Sequence, residues 1–287
     1  MPLLEKAFAK LDQNYDRIIG GNGAEGLRTL TGKPTFSLRH AGKPKWVLKK
    51  AHKFWAENNF PATASCCNRV AGGIDGLVSG HAYTFLDVKD LVKPNGGKIT
   101  LAKVRNPWGK EKYKGPWNDN DSRWTDDFKQ QANLTVADDG IFWMPYKNFV
   151  KFFSKADVAF TGEYNHVMHK YHAAVRQKRI VVNNPVKQKV YITGETFSER
   201  HYPRAGACKP NNNIVLYFLN TNHSPVDRSI PYQFIAWWGF GTVGKVEGEL
   251  PAGKYYMYIV NQNHPRGPND ITLNVYASNQ QPTLEGL

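Results

Sequence analysis

Two short runs hold the residue types that could do chemistry: Gly80-His81-Ala82-Tyr83 and Arg105-Asn106-Pro107-Trp108-Gly109. Imidazole is the side chain best suited to take up and return a proton near neutral pH. A carboxamide beside it can fix which ring nitrogen carries the proton, leaving the other free to act as base. Such a pair needs a nucleophile to activate, and a thiol fits because its reactive thiolate forms readily beside an imidazole. The chain has three cysteines, Cys66, Cys67 and Cys208. Cys66 and Cys67 precede His81 by only 15 and 14 positions, within Ala64-Ser65-Cys66-Cys67-Asn68, and read as buried structural side chains. No nucleophile is assigned within this chain.

The elements that must position the pair follow from the pattern around it. His81 opens a β-prone run to Val88, and after the turn Pro94-Asn95-Gly96-Gly97 a second run, Ile99 to Val104, delivers Asn106 at its end. Two adjacent antiparallel strands would hold His81 and Asn106 side by side across 25 positions of sequence. Upstream, Leu3, Leu4, Ala7, Phe8, Leu11 and Tyr15 recur at helical spacing, Ala24 to Leu30 reads as a second helix, and Trp46 to Trp55 as a third. Downstream, Tyr113 to Asp127 reads as an ordered loop anchored by Trp117 and Trp124. It precedes a strand end at Phe142 to Pro145 and a helix over Tyr146 to Phe153 with Phe149, Phe152 and Phe153 inward.

Beyond about residue 162 helical periodicity stops. Val167 to Val175, Val186 to Ile192, Ile214 to Leu219, Phe234 to Trp238, Lys254 to Val260 and Ile271 to Tyr276 are short β-like runs between Pro, Asn and Gly turns. This spacing predicts an antiparallel β-sandwich. The expectation is therefore an α+β chain of two domains, residues 1–162 and 163–287.

Bulk composition narrows the class. With 41% hydrophobic and 22% charged residues, a chain of 287 residues is globular and long enough for two cores. No apolar run approaches the roughly 20 residues that span a bilayer, and no basic region followed by an apolar core opens the sequence. Three cysteines, two of them adjacent, make a poor disulfide framework and fit a reducing, cytoplasmic setting. The net charge of +14 is spread over both halves: residues 1–155 hold 25 Lys and Arg against 15 Asp and Glu, the rest 13 against 9. One local concentration, Lys43, Lys45, Lys49, Lys50 and Lys53, reads as the solvated face of the third helix. It comes with no nucleic-acid module signature, so no nucleic-acid partner is expected.

Taken together, the two runs and their separation resemble the calpain family of papain-like cysteine endopeptidases. Leu3 to Leu11, Gly20-Gly21-Asn22, Gly115-Pro116-Trp117-Asn118-Asp119 and Asp139-Gly140-Ile141-Phe142-Trp143-Met144 extend the resemblance over roughly residues 2–160. It implies the His/Asn-bearing second lobe of a papain-like core, an antiparallel sheet with helices. His81 is implied as general base and acid, Asn106 as the group orienting its imidazole, and Trp108 as a shield for their hydrogen bond. It further implies hydrolysis of protein substrates through an acyl-enzyme, with the nucleophile carried by a Gly-Asp-Cys-Trp stretch in another lobe, upstream or in trans. On this resemblance the chain is a fragment or truncated product, inactive by itself.

The same resemblance implies calcium, and here the residues depart from the family. Of the positions matching its calcium loops, Asp119 and Asp139 are acidic, Ala137 offers only a backbone carbonyl, and Lys112 and Ile141 replace carboxylates. Hard Ca²⁺ wants several oxygen ligands, so weak binding or none is expected. Leu250-Pro251-Ala252-Gly253-Lys254-Tyr255-Tyr256 and Asn269 to Tyr276 resemble the C2-like domain that follows the core in calpains. The alternative is a non-catalytic calpain-like protein whose sandwich binds protein or phospholipid.

Overall fold

The computed structural model describes residues 2–66, 75–110, 113–172, 177–196, 214–219, 234–236, 242–261 and 270–286. The chain divides into two compact units, residues 26–161 and residues 1–25 with 162–287. Both are antiparallel in their strand pairing, and with the helices the fold is α+β.

The unit of residues 26–161 is built on one six-stranded sheet. Its strands are β1 (Thr35–Arg39), β2 (Ala62–Cys66), β3 (Ala82–Val92), β4 (Lys98–Arg105), β5 (Ile141–Pro145) and β6 (Phe153–Ala159). They lie in the order β1-β6-β2-β3-β4-β5, every neighbouring pair antiparallel. The hairpin expected around the turn at residues 94–97 is β3 and β4, paired from Thr84 opposite Arg105 to Val92 opposite Lys98 with a register shift between Phe85 and Asp87. β1 and β6 were not expected; the sequence over Tyr146 to Phe153 reads as helix, yet Phe153 already begins β6.

Helices cover one face of this sheet. The third expected helix is α3 (Lys45–Glu57), preceded in the chain by α1 (Pro2–Leu11) and α2 (Gly23–Thr31). α3 turns Leu48, His52 and Trp55 inward, a spacing of four and three that makes a single stripe. His52 and Trp55 meet Phe85 of β3, and His52 also meets Phe149 of α5 (Tyr146–Phe152). Full burial of such large apolar groups stabilises by roughly 1.5–3 kcal/mol each. On the outer side of α3, Lys49 and Lys53 are not simply solvated. Their ammonium groups pair with Asp90 of β3 at 2.6 and 2.9 Å.

A second cluster joins Leu91, Leu101 and Trp143 to Trp117, Trp124 and Phe128. Both expected anchors, Trp117 and Trp124, are thus buried. Phe128 belongs to α4 (Asp126–Ala132), which sequence periodicity missed because the helix is only 7 residues long. Its local signals are plain: the Thr125 hydroxyl accepts from the Phe128 amide at 3.2 Å, and Asn133 ends the helix at φ 48°.

In the second unit the strands are β7 (Asn165–His172), β8 (Gln177–Asn184), β9 (Gln188–Thr196), β10 (Ile214–Leu219), β11 (Phe234–Ala236), β12 (Thr242–Leu250), β13 (Gly253–Asn261), β14 (Asp270–Ala277) and β15 (Thr283–Glu285). They form two antiparallel sheets, β11-β10-β13-β8-β15 and β12-β9-β14-β7. Ile180, Val190, Ile192, Met257, Leu273 and Val275 from both sheets share one core. β8, β12 and β15 were not separated in the sequence, where Lys, Gly and Glu interrupt the alternation of β12. α1 belongs to this unit, but its apolar stripe is not core: Leu3, Leu4 and Leu11 are exposed. No helix among the described residues is long and apolar enough to cross a membrane.

Candidate active site

His81 lies one residue before β3, after Gly80 in the left-handed region at φ 68°. Its carbonyl accepts from the Cys66 amide at 2.9 Å, which ties it to β2. Its ring meets Tyr83 edge-on at 4.9 Å, and the Tyr83 hydroxyl accepts from the Val78 amide at 2.9 Å. Burial raises the Tyr83 phenol above its usual range, so it stays neutral and acts as a fixed wall.

Asn106 lies one residue past β4 and is completely buried. Its amide donates to the Gly140 carbonyl at 2.8 Å, and its carbonyl accepts from the Gly109 amide at 3.1 Å. The side-chain orientation is decided by its neighbours. The carboxamide nitrogen donates to the Lys110 carbonyl at 3.3 Å, and the oxygen accepts from the Trp108 amide at 3.1 Å. That same oxygen stands 3.0 Å from His81 Nε2. Since the oxygen can only accept, Nε2 must carry the hydrogen, and the neutral ring is left with its lone pair on Nδ1. The strands thus deliver an imidazole whose free basic nitrogen is selected by one buried amide.

Trp108 packs beside this pair, its ring 4.5 Å from the imidazole at 41°, while 58% of Trp108 remains exposed. His81 itself is half-buried. One face of the imidazole is therefore covered by indole. Gly140 is a support the sequence reasoning did not single out. At φ 85° a Cβ there would stand 2.6 Å from the Asn106 carbonyl oxygen. Only glycine lets the two loops approach this closely, and the Asp139-Gly140 turn dipeptide is the signal that could have found it.

Cys66, expected as a buried free thiol, is buried but disulfide-bonded, so it offers no thiolate to His81. Cys67 and Cys208 lie outside the described residues.

The loops at the family's calcium positions, where weak binding or none is expected, are bonded within the chain. Asp119 is 6% exposed. One of its oxygens accepts from the Ala137 amide at 3.2 Å, and the other is buried with no hydrogen-bond partner. Burial pushes this carboxyl up, and the negative Asp139 adds to the effect; the Ala137 amide and Lys103 oppose it. Asp139 accepts from the Ile141 amide at 2.8 Å. Ala137 thus turns an N–H toward Asp119. Lys112 lies outside the described residues. Among the described residues no three His, Cys, Asp or Glu side chains converge on a possible metal position. Two carboxylates, each already accepting from a backbone amide, do not fit a cation that takes six to eight oxygens.

With this geometry in view, similarity to known proteins is decisive. A family model described as calpain family cysteine protease matches residues 1–160. The chain belongs to the calpain family. It is 37% identical over 163 residues to Calpain-9 of Mus musculus, covering 54% of this chain and 24% of that protein. It is 34% identical over 172 residues to Calpain-A of Drosophila melanogaster, covering 54% and 20%. With Calpain clp-4 of Caenorhabditis elegans the match is 32% over 231 residues, 77% of this chain and 32% of that protein. The chain thus spans about a fifth to a third of the length of these calpains, and the last match extends past the core into the sandwich.

Proposed function

We propose that this chain supplies the base half of a calpain-type cysteine endopeptidase site acting on protein substrates. The observation that carries the proposal is the 3.0 Å contact between His81 Nε2 and the fully buried Asn106 carboxamide. With the Nε2 proton held there, His81 Nδ1 accepts the proton of a cysteine thiol. The thiolate adds to a peptide carbonyl, the C–N bond breaks, and the imidazolium returns its proton to the leaving amine. Water activated by the same imidazole then hydrolyses the thioester. Trp108 shelters the imidazole–amide bond on one side, which strengthens it by lowering the local dielectric.

The thiol belongs to a Gly-Asp-Cys-Trp lobe, which residues 1–287 do not contain. Assayed alone, these residues are therefore inactive. In this proposal residues 1–162 are the His/Asn lobe and residues 163–287 a C2-like sandwich, and calcium is bound weakly or not at all. The setting is cytoplasmic, although the Cys66 disulfide counts against it. A second reading, a non-catalytic scaffold whose sandwich binds protein or phospholipid, is favoured by the incomplete calcium loops.

The test is to mix the chain with a separately expressed Gly-Asp-Cys-Trp lobe of a calpain and follow casein cleavage. Cleavage that needs both parts and disappears in His81→Ala supports the protease. Independently, nitrogen NMR of His81 should report the neutral Nε2–H tautomer. A dominant Nδ1–H tautomer would remove the base from the thiol side and sink the proposal.

A further inference from the structure

A basic concavity of about 470 Å³ lies where the start of α3 meets α5. Lys43, Lys45, Lys147 and Lys151 line it with Asn148 and His40, and no carboxylate does. Farther along α3, Lys49 and Lys53 share the single carboxylate of Asp90. Lys43, Lys45, Lys147 and Lys151 have no such partner among the described residues. Four ammonium groups around one small hollow raise the local positive potential, which draws in an anion.

Two further features give the hollow the donors and acceptors of a phosphate site. α3 has Pro44 at its N-cap with no side-chain cap; the Val47 and Leu48 amides both donate to the Pro44 carbonyl, at 3.0 and 3.2 Å, so only the Lys45 and Trp46 amides are left at the positive end of this 13-residue helix. Lys45 is the first residue of that helix. His40 is 96% buried, since only 4% of it is exposed. Its Nδ1 bonds the Phe153 carbonyl at 2.6 Å and must therefore donate, which leaves Nε2 as an acceptor. That Nε2 is buried without a partner. His40 lines the hollow as a residue, so a phosphate seated on the lysines lies beside its ring.

The hollow continues into a larger one of about 860 Å³ through Lys45, Lys147 and Asn148. There Trp46, which is 71% exposed, and Pro116 offer an apolar surface beside the lysines. A ligand with a phosphate head and an organic body matches both parts.

We propose that this concavity binds a phosphate ester, with Lys43, Lys45, Lys147 and Lys151 holding its phosphate. None of its residues takes part in the His81–Asn106 pair, and the site stands apart from the proteolytic reading. The phosphate can come from a free metabolite or from a phosphoinositide headgroup, and the two sources share this chemistry.

The test uses the full chain of 287 residues. Pyrophosphate is titrated by calorimetry at low ionic strength, and phosphatidylcholine vesicles with and without phosphatidylinositol bisphosphate are co-sedimented. Lys147→Ala with Lys151→Ala should weaken pyrophosphate binding at least about tenfold, since each removes a charge-assisted contact. The equal-charge control, Lys50→Ala with Lys93→Ala, should change it by less than about twofold. All four side chains are exposed, so unchanged thermal melts are expected and confirm that both variants fold. Loss of pyrophosphate binding alone assigns the free ligand; loss of headgroup-dependent sedimentation as well assigns the membrane source. The proposal is overturned if the native chain binds neither probe, or if the Lys147/Lys151 variant binds as the native chain does.

Discussion

The His81–Asn106 loops and the Asp119–Asp139 loops belong to one lobe and one family pattern, yet they are finished to different degrees. At Asn106 the side chain is wholly buried and both ends are bonded, to Lys110, Trp108 and His81. At Asp119 one oxygen is buried and unpaired. The contrast follows from what completes each site. A positioning amide is satisfied by groups on its own chain, so folding alone keeps it in order. The free Asp119 oxygen has no hydrogen-bond partner to complete it, and as a buried charge it would carry a cost.

The sharpest way to break the comparison is Asn106→Ala. It empties a buried position, strands the Trp108 amide and the Lys110 carbonyl, and releases His81 Nε2. A loss of about 3 kcal/mol is expected, combining a small cavity with unpaired backbone groups. Urea unfolding measures it, and NMR of His81 should show the ring reverting toward a mixture of tautomers. A loss under about 1 kcal/mol with the tautomer unchanged would mean the amide is not what orders this site.

His52 sharpens the same comparison from the other side, because it is an imidazole with no amide to orient it for exchange with solvent. It is fully buried, and its Nδ1 meets only the Tyr146 hydroxyl, at 2.9 Å. Burial lowers its pKa to about 3, with the neighbouring His40 adding to the shift. The unfolded chain takes up a proton near pH 6.5, whereas the folded chain refuses it until about pH 3. Stability is therefore complete above about pH 6.5 and falls as the pH drops, by about 2 kcal/mol at pH 5 from this residue. The urea midpoint should shift down between pH 7.5 and pH 5, and His52→Leu should flatten that slope. A midpoint independent of pH would show that His52 is not buried in neutral form.

What the sequence made legible, and what it hid, divides along the same physical line. The β3–β4 hairpin, the α3 stripe and the Trp117 and Trp124 anchors were readable because periodicity and turn residues are local. β1 and β6 were not, since Phe36 and Leu38 alternate over too few residues, and Phe153 continues a helical run of aromatics before turning into a strand. Gly140 escaped because its reason for being glycine is the Asn106 carbonyl, 34 positions away in sequence. The basic hollow is half legible: Lys43 and Lys45 read as a solvated helix face, but Lys147 and Lys151 join them only through the fold.

The finest test of the comparison is Asp119→Asn. The folded state raises the pKa of this carboxyl, chiefly by burial, so ionisation costs stability and the cost grows as pH rises through the folded pKa. Asparagine keeps an oxygen for the Ala137 amide and removes the charge. At pH 7 the variant should therefore be as stable as the native chain or more so, by up to about 1 kcal/mol. The gain should shrink as the pH is lowered through this raised pKa, where the native carboxyl takes up its own proton. Adding about 1 mM Ca²⁺ should leave the native melting temperature unchanged, because a ligand stabilises only when its concentration exceeds its dissociation constant. A calcium-dependent rise that Asp119→Asn abolishes would make these loops a working cation site, and the two regions would then differ in occupancy and no longer in completeness.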